Sequence, residues 1–227
     1  MTAALLIDLF DTLVLIDEVK YREGRAAMAR LAGACDFVFI GAWRNTAQAA
    51  QTGELPTPLA RCTRALELLG QRADPEKAGA MARLDVDYLL AASRLYPGAE
   101  EFLSAARARF PGRLALVSNA AANAADLTAH LGLAQRFDAM IFSFAVGALK
   151  PEPAIYTAAL QAVRADATET WFIGDGAGGE LEGARAAGLR PLRIDHALKF
   201  NLLRGDPVVD PAIPVVRNFA EALERLS

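Results

Sequence analysis

The sequence predicts an α/β fold, a Rossmann-like parallel sheet with helices on both faces, and an all-α segment inserted after the first strand. Two observations point to it. Short apolar runs ending in polar residues alternate with stretches of helical periodicity from residue 113 onward, and strand and helix in alternation imply right-handed crossovers and a parallel sheet. A run of the same kind, AALLIDLF at 3–10, stands alone at the start, ahead of a helical stretch from about 17 to 96.

Each element has its own signal. AALLIDLF is continuously apolar up to Asp8, as in a parallel strand covered on both faces. In PLARCTRALELLG, Leu59, Cys62, Leu66 and Leu69 share a helical face, with Gly70 where the helix ends. The next helix opens with Asp74 as cap and Pro75 at its first position, and Met81, Leu84, Tyr88 and Leu95 are expected on one face. YPG at 96–98 closes the helical stretch with a turn. RLALVSN (113–119) is a strand followed by a helix to about Leu131. DAMIFSF (138–144) is a strand followed by the helix PEPAIYTAALQAV. ETWFIGD (169–175) is a strand followed by ELEGARAAG, stopped by Gly188, and RPLRID (190–195) is another strand. IPVVRNFAEALERL supplies a last short strand and a closing helix capped by Asn218.

Composition narrows the function classes. The 227 residues are 53% hydrophobic and 22% charged, enough for a sizeable core and unlike a disordered chain. A net charge of −3 without a basic run argues against nucleic acid and anionic membrane as partners. Cys35 and Cys62 fit no metal spacing and are expected as two small buried thiols. No apolar stretch reaches the ~18 residues that span a bilayer, and the first apolar run lacks a basic flank. The expectation is a cytoplasmic protein acting on a small molecule, with monomer and homodimer left open.

Ligands of open parallel sheets bind beyond the carboxyl ends of the strands. The polar residues there are Asp8 with Thr12, Ser118 with Asn119, Lys150, and Asp175 with Glu180. Each alone reads as a cap, a loop residue or a surface lysine; their convergence on one edge in chain order is harder to dismiss. Asp8 would be a nucleophile forming an acyl-phosphate or ester. A metal ion held by Asp8 and Asp175, with Glu180 behind, would cancel repulsion from a phosphate dianion, and oxygen ligands suit Mg²⁺. Lys150 would neutralise the transferred group, and Ser118 and Thr12 would donate hydrogen bonds to it.

These segments resemble the four motifs of the haloacid dehalogenase superfamily, most of whose members are phosphatases: DLFDTLV the first, LALVSN the second, GALKPEPAIY the third and WFIGDGAGGELEGARAAGL the fourth. The resemblance implies a Rossmann-like core of 1–16 and 97–227 and an inserted helical cap of 17–96. It implies Asp8 as nucleophile, with Mg²⁺ held by Asp8, the Phe10 carbonyl and Asp175. Glu180 stands where the family usually carries Asp.

Phe10 departs from the phosphatase pattern. The residue two places after the nucleophile is usually an acid that protonates the departing alkoxide, a service worth ~10²–10⁴-fold. Asp11 is adjacent, but along a strand-like segment it would point the other way. Three readings follow: a Mg²⁺-dependent phosphohydrolase whose leaving group needs no proton or takes one from the cap, a 2-haloacid dehalogenase, or a weakly active or non-catalytic binding protein. The dehalogenase branch carries an aromatic residue at this place but needs no metal and typically lacks the Asp175–Glu180 acid pair. A fourth reading comes from another class. Residues 174–179 satisfy G-x-G-x-x-G and Asp195 ends the next strand, as in a dinucleotide-binding oxidoreductase; Asp175 and Glu180 would repel the pyrophosphate.

Among the remaining polar and aromatic residues, Arg22, Arg25 and Arg44 in the helical stretch are expected on a solvated face, with an anionic substrate as the alternative. His130 reads as a helix end, His196 as a loop residue, and Trp43 and Trp171 as packing residues.

Overall fold

The computed structural model describes residues 3–72, 74–197 and 207–226. The strands are β1 (Ala4–Ile7), β2 (Val14–Ile16), β3 (Ser93–Leu95), β4 (Leu114–Ser118), β5 (Ala139–Phe142), β6 (Thr170–Gly174), β7 (Arg190–Ile194) and β8 (Val215–Val216). Five α-helices fill the stretch after β2: α1 (Glu18–Ala32), α2 (Asp36–Asn45), α3 (Ala47–Gln51), α4 (Pro58–Leu68) and α5 (Pro75–Ala92). Then come α6 (Ala99–Arg109), α7 (Asn123–His130), α8 (Ser143–Val146), α9 (Pro153–Val163), α10 (Glu180–Ala186) and α11 (Phe219–Arg225).

Six strands form one parallel sheet in the order β5-β4-β1-β6-β7-β8. The first strand is therefore central, with Leu5 opposite Leu114 on one side and Trp171 on the other. Its side chains alternate between two cores, as the pleat requires. Leu5 and Ile7 pack with Phe102, Leu103 and Phe219, while Ala4 and Leu6 pack with Ile155, Tyr156, Phe172 and Leu181. Burying each large side chain is worth about 1.5–3 kcal/mol, so a continuously apolar strand fits only this doubly covered place. The helices α1, α2, α4 and α5 hold a third cluster, around Met28, Phe39, Trp43, Cys62, Leu66 and Met81.

Two chain segments join the helical block to the sheet, and they run side by side. β2 pairs antiparallel with β3, Val14 opposite Leu95 and Ile16 opposite Ser93. The Tyr96 N–H donates to the Leu13 carbonyl at 2.9 Å, and the Asp17 N–H to the Ala92 carbonyl at 2.6 Å.

The expected caps are present: Asp74 accepts from the N–H groups of Glu76 and Lys77, and Asn218 from that of Glu221. Other expectations need correction. Leu95 is not on the face of α5, because the helix ends at Ala92 and Leu95 lies in β3; the buried face is Ala78, Met81, Asp85, Leu89 and Ala92. Leu59 is exposed rather than packed with Cys62 and Leu66. Residues 143–144 begin α8 instead of extending β5. Cys35 is exposed, and only Cys62 is a buried thiol. Among the described residues no single helix is long and apolar enough to cross a membrane.

Candidate active site

Asp8 follows β1 at the centre of the sheet's carboxyl edge, its N–H held by the Ile173 carbonyl at 2.9 Å. The chain then turns tightly, the N–H groups of Leu13 and Val14 both donating to the Leu9 carbonyl at 2.9 and 2.8 Å. Within this turn Asp11 has φ 59°, in the left-handed region, with its N–H on the Val14 carbonyl at 2.9 Å. The pleat is broken here. Phe10 and Asp11 both lie on the wall of the cavity beyond the strands, so the strand-like alternation expected to separate them does not hold in this turn.

β4 delivers Ser118, which is fully buried, and then Asn119. The Asn119 carboxamide clamps the Lys150 backbone. Its Nδ2 donates to the Lys150 carbonyl at 2.8 Å, and its Oδ1 accepts from the Lys150 N–H at 2.7 Å. Asn119, expected to bind substrate, lines the cavity with both ends of its amide engaged in placing the lysine.

Lys150 is buried, and its ammonium contacts both Asp8 and Glu180. Burial alone lowers its pKa, yet the two carboxylates leave it raised. Glu180 opens α10 and is 2% exposed. Its Oε1 accepts from the Gly176 N–H at 3.1 Å, and its backbone carbonyl from the Tyr156 hydroxyl at 2.6 Å. Two glycines make room. A Cβ on Gly174 would lie 2.0 Å from Glu180 Oε1, and one on Gly183 would lie 2.5 Å from Pro151 Cβ and 2.7 Å from its carbonyl oxygen. Small residues here let α10 press Glu180 against the Lys150–Pro151 segment.

Asp8, Asp175 and Glu180 are all buried, each with a carboxylate oxygen within 4.8 Å of the others. Burial pushes Glu180 up to about 8, with Asp8 and Asp175 adding to the rise against the opposing pull of Lys150. A carboxylate held this far above its ordinary range sits in a place where negative charge is crowded. One ammonium faces two of the three carboxylates. An all-oxygen donor set with this charge fits a divalent cation such as Mg²⁺.

Ser118 and Thr12, expected to bind the transferred group, are fully buried and are not among the described residues that line the cavity; neither hydroxyl has a hydrogen-bond partner among the described residues. A buried polar group left unpaired costs about 1–3 kcal/mol, so two such groups, one ending β4 and one four residues after Asp8, fit a site that takes a polar ligand. The cavity measures about 360 Å³, and among the described residues the helical block contributes one to its lining, Gln51 at the end of α3.

Other expectations resolve elsewhere. Among the described residues none of the three arginines lines this cavity. Arg22 pairs with Glu18, Arg44 is exposed, and Arg25 is buried against Asp85 rather than solvated. Trp43 packs between the Arg25 and Arg61 guanidinium groups. His130 is an exposed helix end, whereas His196 is buried, stacked on Tyr96 at 3.9 Å with Nε2 2.9 Å from the Thr12 carbonyl. The glycine-rich loop at 174–179 does not suit a pyrophosphate. The Gly176 N–H is taken by Glu180, a Cβ there would meet Val209 at 2.5 Å, and Asp195 pairs with Arg217. Sequence reasoning missed Gln51, Tyr156 and Asp85. Only the helical position of Asp85, four residues from Met81 and from Leu89 on the buried face, carried a signal.

A family model for haloacid dehalogenase-like hydrolases matches residues 2–188. A phosphoserine phosphatase of Thermus thermophilus is 34% identical over 122 residues, 53% of this chain and 47% of that protein. The haloacid dehalogenase-like hydrolase domain-containing protein 3 of Homo sapiens is 32% identical over 119 residues, 52% of this chain and 44% of that protein. The chain thus spans about half the length of the curated relatives it matches. Among solved structures, a 2-haloacid dehalogenase from Pseudomonas syringae superposes with TM-score 0.73 at 21% identity, covering 100% of both chains. A HAD phosphatase from Thermococcus onnurineus does so with TM-score 0.67 at 17% identity, covering 100% of this chain and 98% of the other. At these identities the likeness is one of fold.

Proposed function

The chain belongs to the haloacid dehalogenase-like hydrolases, and within that family we propose that it is a Mg²⁺-dependent phosphohydrolase acting on a small phosphorylated metabolite through an aspartyl-phosphate on Asp8. The observation that carries this reading is the buried triad of Asp8, Asp175 and Glu180 around the Lys150 ammonium. The three side chains and the Phe10 carbonyl would hold the metal. Bound there, Mg²⁺ would supply the charge that lets a phosphate dianion approach a carboxylate.

The chain's own groups do the rest. The Asp8 carboxylate attacks phosphorus, and the P–O ester bond breaks with its electron pair on the departing oxygen. Water then attacks phosphorus, releasing inorganic phosphate and regenerating Asp8. Lys150 faces the charge carried on Asp8 in both steps. Ser118 and Thr12, whose hydroxyls have no partner among the described residues, donate to phosphoryl oxygens. The helical block acts as a cap and presents Gln51 to the leaving group. Phe10 has no proton to give, so aryl and acyl phosphates are favoured over alkyl phosphates, whose alkoxide must be protonated.

Phe10 also favours a second reading, a 2-haloacid dehalogenase, in which Asp8 displaces a halide that leaves unprotonated. The carboxylate of a haloacid would then approach Asp8 and Asp175 on the cavity wall. At 4 Å and surface-like screening each such pair repels by about 4 kcal/mol. A screen of phosphate esters and 2-haloacids, each with and without Mg²⁺, separates the two. Metal-dependent phosphate release supports the first; halide release without metal, and no phosphate release from any ester, overturns it.

A further inference from the structure

A second buried ionic group lies away from the catalytic carboxylates, where the helical block meets the sheet. Asp85, in the middle of α5, is 2% exposed. Its Oδ1 accepts from Arg25 Nη1 at 2.6 Å, and its Oδ2 accepts from Asn123 Nδ2 at 2.9 Å. Arg25 and Asp85 both belong to the helical block. Asn123 belongs to the other side of the seam, as the first residue of α7. The Arg25 end is fixed in place. Its Nη2 donates to the Tyr21 hydroxyl at 2.8 Å, and its guanidinium lies over the Tyr21 ring at 4.6 Å and the Trp43 ring at 4.5 Å. On the far side, Asn123 sits four residues after Asn119, the residue that clamps the Lys150 backbone.

We propose that the Arg25–Asp85–Asn123 bridge sets the angle of the helical block over the cavity, making Asp85 and Asn123 positioning residues for the reaction proposed above. The covalent links across the seam are the paired segments β2 and β3. Such a ribbon is a hinge: it fixes where the block is attached and leaves its rotation to other contacts. Apolar contacts resist sliding weakly. A charge-assisted hydrogen bond is short and directional, and an ionised carboxylate in a closed seam with one oxygen unpaired is costly. Moving the block by an ångström strands Asp85, so the bridge selects one orientation. That orientation brings Gln51 to the cavity wall and Gly53 under the Phe144 carbonyl, where a Cβ would come within 2.2 Å of the oxygen.

This inference rests on the proposed phosphohydrolase for its kinetic consequence, and its structural consequence is measurable without any activity. The test is Asn123→Asp. An acid in the first turn of α7 suits the helix dipole, so a purely local role predicts an unchanged or steadier protein. In the bridge the same change sets two carboxylates against each other. Spin labels on the exposed native Cys35 and on Ala162→Cys of α9 report the distance between block and sheet; Cys62 is buried. The expected result for Asn123→Asp is a longer, broader distance distribution. For the best ester substrate, KM should rise about tenfold, equivalent to 1.4 kcal/mol, with kcat within about threefold. Combining Asn123→Asp with Asp85→Asn exchanges donor and acceptor and should restore both readouts. If Asn123→Asp does not fold, Asn123→Ala is read the same way, since it leaves the Arg25–Asp85 pair intact. A distance distribution like that of the unmodified protein, a swap that restores nothing, or a fall in kcat with KM unchanged overturns the bridge. Absence of turnover on every ester would instead count against the proposed function and leave the distance measurement to decide the bridge.

Discussion

Replacing Lys150 by Met removes one charge and keeps the volume of the side chain, so it tests the centre of the site with little packing change. Lys150 is buried between Asp8 and Glu180. Removing one partner of a buried ion pair costs about 3–5 kcal/mol because the other charge is left buried. Protonation limits that cost. Glu180 is raised to about 8 with the lysine present, so at neutral pH it is already largely protonated, and the charge left without its partner is that of Asp8. The expected loss at pH 7 is therefore at the lower end, about 3 kcal/mol, or roughly 6–12 °C in Tm for a chain of this size. The direction with pH follows from the same group. A carboxylate whose pKa is raised in the folded state contributes stability while it is protonated there, and loses it as pH rises through the folded value. The gap between variant and unmodified protein should thus be level from pH 5 to about pH 7 and widen toward pH 9, where only the unmodified protein releases the Glu180 proton. Mg²⁺ should stabilise the variant more than the unmodified protein, since the cation meets less positive charge. Turnover of an aryl phosphate should fall by about 10²–10³-fold, the usual loss when one electrostatic donor to a developing charge is removed. Thermal scans at several pH values, with and without Mg²⁺, check the first three effects. A Tm within ~2 °C of the unmodified protein together with activity within ~3-fold would refute the assignment of Lys150.

Three further outcomes follow from the geometry. Mg²⁺ should raise Tm more at pH 8.5 than at pH 6, because Glu180, at about 8, must give up its proton to act as a ligand; at 100 Kd the stabilisation is about 2.7 kcal/mol, and calorimetry at the two pH values measures it. Phe10→Asp should raise turnover of alkyl phosphates by about 10-fold or more and leave aryl phosphates within about threefold, since general acid help matters only for the poor leaving group; steady-state kinetics on the two ester classes decide it. Gly174→Ala should destabilise the protein by about 1–3 kcal/mol and weaken the response to Mg²⁺, because the new methyl occupies the position of the Glu180 carboxylate; titration calorimetry with the metal reads the second effect.

The sheet was legible in the sequence wherever a strand is buried on both faces. β1, β4 and β6 are continuous apolar runs because each contacts a core on either side, and the helix caps Asp74 and Asn218 declared themselves through residue type and position. Periodicity failed where a helix stopped without a glycine or proline to mark it. α5 ends at Ala92, and the chain continues as β3 because Ser93 to Leu95 pairs with β2, a partner far away in sequence. Pairing between distant segments leaves no local trace. The same limit hid Asp85. On a buried helical face an acid reads as an interruption until Arg25 and Asn123, 60 and 38 residues away, are brought to it.

At the site, chain order alone brought Asp8, Asp175, Lys150 and Glu180 to one edge, since residues after the carboxyl ends of parallel strands share that edge. The alternation rule did not extend past Ile7. It sent Asp11 away from Phe10, but a rule of period two holds only for an extended backbone, and φ 59° at Asp11 folds the segment back on itself. A left-handed residue other than glycine costs about 1–2 kcal/mol; the tight turn from Asp8 to Val14, closed by three backbone hydrogen bonds, holds it there. The consequence bears on the chemistry. Where the sequence offered a hydrocarbon ring in place of an acid, Phe10 and Asp11 both lie on the cavity wall. A ring alone would have made an apolar pocket suited to a carbon–halogen bond. A ring beside Asp8, Asp175 and Glu180, with the Lys150 ammonium set against only two of the three, makes a pocket where an anion arriving with a cation is better balanced than one arriving alone, and the proposed Mg²⁺-dependent reaction rests on that condition.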